Sequence, residues 1–161
     1  MRIGVVSDTH NHLGNVRRIV ELLNAAGVER VVHTGDITQA KTLAALADLR
    51  APLWGVYGNN DQEREALSAA ATRFGFTLAE PPLDLHWAGR RILVVHDPRD
   101  LARALADHHE LALHGHNHEC VLERRGRCLV FNPGECAGHL PGHNRVGVVD
   151  LVRLSTEVLR F

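Results

Sequence analysis

An alternation in the first half limits most strongly what this chain can fold into. Apolar runs at Arg2–Val6, from Val31, and at Leu53–Tyr57 take turns with three segments of helical spacing. In the first segment Val16, Ile19, Val20 and Leu23 recur on one face, and Gly27 stops the helix. The second runs from about Ala40 to Leu49, with Leu43 and Leu46 on one side. The third runs from about Glu63 to Phe74, burying Leu67, Ala70, Ala71 and Phe74. The order β-α-β-α-β-α calls for parallel strands joined by crossover helices.

The second half changes character. The stretch "LDLHWAGRRILVV" reads as a hairpin turning at Ala88-Gly89, and a helix is expected from about Arg99 to Asp107 before "LALHG". "CVLERRGRCLVF" reads as a second hairpin turning near Arg125-Gly126, and "VGVVDLVRLSTEVLRF" alternates like a last antiparallel pair. No linker, repeat or low-complexity tract divides the chain. The expectation is one domain, 1–161, in the α/β class: an α/β half joined to a more antiparallel half, with two sheets face to face.

A chain of 161 residues suits one domain with one sizeable core. Eighteen basic against nineteen acidic residues argue against a broad basic face, so nucleic acid and anionic membranes are not expected partners. No apolar run approaches the roughly 20 residues needed to cross a bilayer. The start "MRIGVVSDTH" enters a strand pattern directly, without a signal-peptide cleavage region. Cys120, Cys128 and Cys136 form no Cys-x-x-Cys pair and fit reduced thiols, so a cytoplasmic location is expected.

Histidine is over-represented, at 12 residues, and it clusters at the ends of apolar runs. After "IGVV" come Asp8 and His10. After "VVHT" comes Gly35-Asp36, and after "GVY" comes Gly58-Asn59-Asn60-Asp61. "ILVV" leads to His96-Asp97, and "LAL" leads to His114-Gly115-His116-Asn117-His118. Ligands of open α/β sheets lie at the carboxyl ends of strands, so these five loops should meet at one edge. In an extended segment, residues two apart face the same way, so Asp8-x-His10 and His116-x-His118 could each aim two donors at one centre. About seven oxygen and nitrogen donors are too many for one structural zinc, which takes about four. They suit two divalent transition-metal ions sharing a carboxylate. Without thiolates in the set, manganese, iron, cobalt, nickel and zinc all suit it, and manganese is taken first among them. Such a centre lowers the pKa of bound water and neutralises phosphoryl charge, which fits attack on phosphorus.

D-x-H, G-D, G-N-x-D, a lone His after a strand and G-H-x-H, in that order, resemble the calcineurin-like metallophosphoesterases. The resemblance runs nearly end to end. It is closest to the small, single-domain bacterial and archaeal phosphodiesterases of the YfcE and MJ0936 type. It implies two mixed β-sheets packed as a sandwich and flanked by helices. It also implies one metal on Asp8, His10 and His118, another on Asn59, His96 and His116, and Asp36 bridging them. Asp36, Asn59, Asn60 and His96 are the implied catalytic positions. The implied activity is hydrolysis of a small phosphodiester, in the wider reading a nucleotide-derived one, by hydroxide activated at the dinuclear centre.

This chain departs from the pattern at several places. Asp97 stands where many relatives have Gly, and "NPGE" where many have N-P-G-S. Asn60 stands where many enzymes of the broader family carry a His that protonates the leaving oxygen, and an amide has no proton to give. Substrates with activated leaving groups, diesters above all, are therefore expected over monoesters. Taken singly, Asp36 and Asn59 would read as turn residues and His96 as a core histidine. His108 and His109 are read as a helix end, His139 and His143 as solvated loop residues. His33, His86 and His114 are read as buried or beside the site, and His12 as a substrate contact at most. The rival functions are a phosphomonoesterase or nucleotidase, and a non-catalytic interaction scaffold like the retromer subunit Vps29. A homodimer is compatible with everything above.

Overall fold

A computed structural model describes residues 1–161. Four layers stack as helices, sheet, sheet, helix. The first sheet contains β1 (Arg2–Val6), β2 (Arg30–His33), β3 (Leu53–Val56) and β4 (Thr77–Ala79) side by side and parallel. Their crossovers are α1 (Leu13–Ala26), α2 (Ala40–Leu46) and α3 (Arg64–Phe74). The second sheet is ordered β5 (Leu83–Trp87), β6 (Arg90–Val94), β7 (Leu111–Leu113), β9 (Cys128–Asn132) and β8 (Val121–Arg125). A short α4 (Leu101–Ala104) covers its outer face. The last hairpin, β10 (Arg145–Asp150) and β11 (Ser155–Arg160), returns to the first sheet, where β10 pairs antiparallel with β1.

Alternation along the strands divides the core. Val6, Val31, Leu53 and Val148 face α1–α3, where they meet Ile19, Leu23, Leu43, Leu46 and Leu67. Their neighbours Ile3, Val5, Val32 and Val56 face the second sheet and pack on Ile92, Val94, Leu113 and Phe131. Leu93, Val95, Ala112 and Val130 point outward, under Leu101 of α4. A one-residue shift of register would exchange these sets, so the pattern fixes the pairing. No helix is long and apolar enough to cross a membrane.

The two sheets and both expected hairpin turns are present, and α1 ends at Gly27 (φ 64°) as its residue type demands. The central strands of the second sheet, β6, β7 and β9, are parallel while its hairpins are antiparallel, so both sheets are mixed, as expected. Three details differ from expectation. Strand β4 was not expected; three residues are too few to show a period. Helix α2 stops at Leu46 instead of Leu49, because the Asn24 side chain on α1 holds the Asp48 carbonyl and the Arg50 N–H. The helix expected at Arg99–Asp107 is a 3-10 turn, Pro98–Asp100, followed by α4 alone. Beyond it the Ala106 N–H donates to His109 Nδ1, and the other ring nitrogen pairs with Asp84.

Candidate metal centre

The carboxyl ends of β1, β2 and β3 in one sheet and of β6 and β7 in the other open at one edge of the sandwich. All five ligand-rich loops leave from that edge and interlock. Asp8 N–H donates to Gly35 O and His10 N–H to Asp36 O, both at 3.1 Å, which ties the first loop to the second. Gly115 N–H donates to His96 O at 3.0 Å and joins the two loops of the other sheet. Gly115 is forced to lack a side chain: a Cβ would collide with Ser7 Oγ and lie 2.7 Å from Asp8 Oδ2.

The expectation of extended backbone in Asp8-x-His10 and His116-x-His118 is not met. Asp8 (φ 53°), His10 (φ 40°), Asp36 (φ 58°), His116 (φ 74°) and His118 (φ 57°) all lie in the left-handed region. Five of the seven expected donors thus sit on backbone that costs on the order of 1 kcal/mol or more per residue. Each such residue bends the chain at once, so its loop stays at the edge instead of running past it. Asp and His tolerate this conformation better than most residue types.

The expected donors gather in two groups. In the first, Asp8 is fully buried. Its Oδ2 accepts from Ser7 Oγ and from the His116 N–H. Its Oδ1 is buried without a hydrogen-bond partner, 3.9 Å from His10 Nε2 and 3.7 Å from His118 Nε2. His10 Nε2 is buried and unpartnered too. Burial lowers the His10 pKa against the pull of Asp36 and Asp8, which favours the neutral ring.

The second group is a triangle. Asn59 Oδ1 lies 2.9 Å from His96 Nε2 and 2.9 Å from His116 Nδ1, and the two nitrogens are 3.3 Å apart. Asp36 reaches both groups: its Oδ2 is 3.4 Å from His10 Nε2 and its Oδ1 is 3.5 Å from His96 Nε2.

Tautomers test whether cations fit here. His96 Nδ1 is 2.9 Å from the Thr34 carbonyl, an acceptor only, so the neutral ring carries its proton there. Its Nε2 lone pair then faces the Asn59 oxygen. His118 Nδ1 donates to the buried Glu135 carboxylate at 2.8 Å, which aims its Nε2 lone pair at Asp8. Electron-rich atoms facing one another without a proton between them, beside two orphaned buried atoms, are an arrangement that a cation would satisfy. The triangle's sides also match neighbouring ligands of one ion, since metal–ligand bonds of about 2.1 Å at right angles give edges near 3 Å. The donor set therefore fits two ions.

Asn60 donates through its backbone at 2.9 Å and its side chain at 2.7 Å to the two oxygens of Asp36. Asp97 points inward: Arg99 grips its carboxylate and holds its pKa down to about 2, while Oδ2 lies 3.8 Å from His116 Nε2. His12 caps α1 by accepting the Asn15 N–H. His33 and His114 are buried, and His86 is exposed. A cleft of 470 Å³ opens beside the triangle, lined among others by Tyr57, Arg64, Pro81 and Arg99.

Three contributors were given no role by reading the sequence. Asp61 accepts the backbone N–H groups of Asp36 and Gly58 at 2.9 and 2.7 Å, joining two ligand loops. Glu135 backs His118. His139 is exposed, as expected, and its ring also lies 5.5 Å from the rings of both His10 and His118. An acid placed between glycine and two residues of small volume in "NPGECAG" was the one available hint of Glu135. Nothing local marks His139. A separate cluster, Asp84, His108 and His109, is closed, because both His109 nitrogens are already engaged.

A family model for the calcineurin-like phosphoesterase superfamily domain matches residues 1–154. The chain belongs to that superfamily. As a calcineurin-like phosphoesterase it is 32% identical over 154 residues to phosphodiesterase MJ0936 of Methanocaldococcus jannaschii, covering 93% of each chain. Phosphodiesterase YfcE of Escherichia coli is 24% identical over 151 residues, covering 83% of this chain and 78% of its own. Among solved structures, an archaeal phosphodiesterase superposes with a TM-score of 0.92 at 30% identity over the whole of both chains. Vps29 of Entamoeba histolytica has a TM-score of 0.69 at 19% identity, covering 100% of this chain and 98% of its own, and shares the fold alone. The expected family and its sandwich fold are thus borne out, and the calcineurin-like phosphoesterase is a hydrolase of phosphate esters.

Proposed function

We propose that residues 1–161 act as one phosphodiesterase domain holding two divalent ions, manganese first among them, and cleaving small phosphodiesters. Asp8, His10 and His118 would hold one ion and Asn59, His96 and His116 the other, with Asp36 between. The observation that carries this is the pair of pinned tautomers, His96 on Thr34 O and His118 on Glu135, which turn both Nε2 lone pairs inward. When bound, such ions lower the pKa of water and offset phosphoryl charge.

The chain's own residues do the positioning. Asn60 and the Asp61 clamp steady Asp36 and its loop. The ester's alcohol portion has room in the cleft beside Asn59 and His116. Asn60 offers a hydrogen bond but no proton, which favours leaving groups that depart unaided. The small diester also agrees with the names of the relatives MJ0936 and YfcE.

The test is to strip the protein of metal and assay bis-p-nitrophenyl phosphate and p-nitrophenyl phosphate with manganese, nickel, zinc or magnesium added back. Diesterase restored by metal, with little monoesterase, is expected. Comparable monoesterase would overturn the diester preference, and no restoration by any ion would overturn the enzyme.

A further inference from the structure

Among the ring nitrogens that turn away from the two donor groups, His118 Nδ1 is the one that donates to a carboxylate. His96 Nδ1 uses the neutral Thr34 carbonyl. His116 Nε2 is 3.8 Å from Asp97, beyond hydrogen-bond reach, and Arg99 already occupies that acid. Glu135 is 1% exposed, so its charge is not dispersed by solvent. Both its oxygens are committed: Oε2 to His118 Nδ1 at 2.8 Å and Oε1 to the Leu140 N–H at 2.7 Å. Its own carbonyl accepts the Arg145 N–H at 2.9 Å, which closes the loop at its far end. That loop carries His139, whose ring stacks on His118 at 27°. One carboxylate therefore sets both a metal-facing imidazole and the loop lying over it.

Resting on the two-ion reading above, we propose that Glu135 is a positioning residue that makes the Asp8–His10–His118 group the tighter of the two metal sites. A carboxylate behind a ligating imidazole fixes its tautomer and strengthens it as a donor, and losing such a partner typically costs about 10–100-fold in metal affinity. The other site has only the neutral Thr34 carbonyl behind His96 and no carboxylate bonded to a ligating ring, so the first ion taken up goes to Asp8, His10 and His118. An amide cannot replace Glu135, because it has one acceptor oxygen where two N–H groups need one each.

The experiment is calorimetric titration of the metal-free full chain with Mn²⁺, for the unmodified protein and for Glu135→Gln, with circular dichroism to check folding. Two separate uptake steps are expected in the unmodified protein. In E135Q the tighter step weakens about 10–100-fold and the weaker one stays within about threefold. Nitrogen-15 imidazole spectra of the unmodified protein serve if E135Q does not fold. His118 must then carry its proton on Nδ1 both before and after zinc is added. Two equal steps in the unmodified protein, unchanged steps in E135Q, or a His118 proton on Nε2 would overturn the role of Glu135 alone. No uptake of Mn²⁺ by the unmodified protein would overturn the two-ion reading along with it.

Discussion

Asn60 donates to both oxygens of Asp36, so a side chain that cannot release a proton occupies a place beside the reacting phosphate on the proposed reading. Asn60→His is expected to raise turnover of esters with poor leaving groups by roughly tenfold or more, toward the 10²–10⁴ range of acid catalysis, and that of bis-p-nitrophenyl phosphate much less. Rates measured across a series of leaving-group pKa values decide this. An equal change for every substrate would place the proton elsewhere. His33 carries a second prediction at this scale. It is buried, accepts the Gly35 N–H on Nδ1 and bonds Thr9 Oγ1 through Nε2, so its neutral form links the first two ligand loops. Burial lowers its pKa from 6.5 to about 3, against the pull of Asp36. The unfolded chain therefore binds a proton between those values that the folded chain does not. Its contribution to stability is complete above about pH 6.5 and is lost as the pH falls toward 3, by up to about 1.4 kcal/mol per pH unit. The metal-free protein should lose melting temperature more steeply between pH 6.5 and 4 than His33→Gln does. Parallel slopes would remove His33 as the source.

The loops act through acceptors that tie them together. Asp61 binds backbone from two of them, and Asp61→Ala strands N–H groups in a buried place. A loss of about 2–4 kcal/mol is expected in denaturant unfolding of the metal-free protein, with weaker metal uptake. A loss within 0.5 kcal/mol or so would mean that water replaces the carboxylate fully. Clamps of this kind mark the limit of what a sequence discloses. The strands other than β4, the helix faces and the two hairpin turns were legible because apolar spacing and Ala88-Gly89 or Arg125-Gly126 are local signals. The convergence of Asp8, Asp36, Asn59, His96, His116 and His118 was legible from strand ends and motif order. The left-handed backbone under five donors was not, because it follows from pairing between loops and leaves no periodicity. Glu135 lies 17 residues from His118 and His139 reaches it across a turn, so only the fold brings either one in. Helix α4 was overestimated because spacing cannot register that His109 captures the Ala106 N–H.

At the scale of the molecule, the centre belongs to neither sheet. Asp8, Asp36 and Asn59 come from one, His96, His116 and His118 from the other, and the layer of Ile3, Val5, Phe131 and Leu113 between the sheets keeps the halves in register. The first sheet is itself completed late. β1 lies between β2 and β10, the Leu151 N–H donates to Met1 O, and Arg2 pairs with Glu157 at 3.3 Å. A chain ending at Asn144 keeps every donor yet leaves one side of β1 bare, and an open edge of that kind invites pairing with other chains. Such a truncated chain should be recovered as aggregate after expression, and a soluble, cooperatively melting monomer would argue that β10 and β11 are dispensable. The same pairing has a consequence in time. On a ribosome adding about 5–20 residues each second, β1 emerges first and waits on the order of ten seconds for the partner that closes its edge. Throughout that interval the nascent chain exposes the β10 side of β1, so synthesis itself opens a window for mispairing.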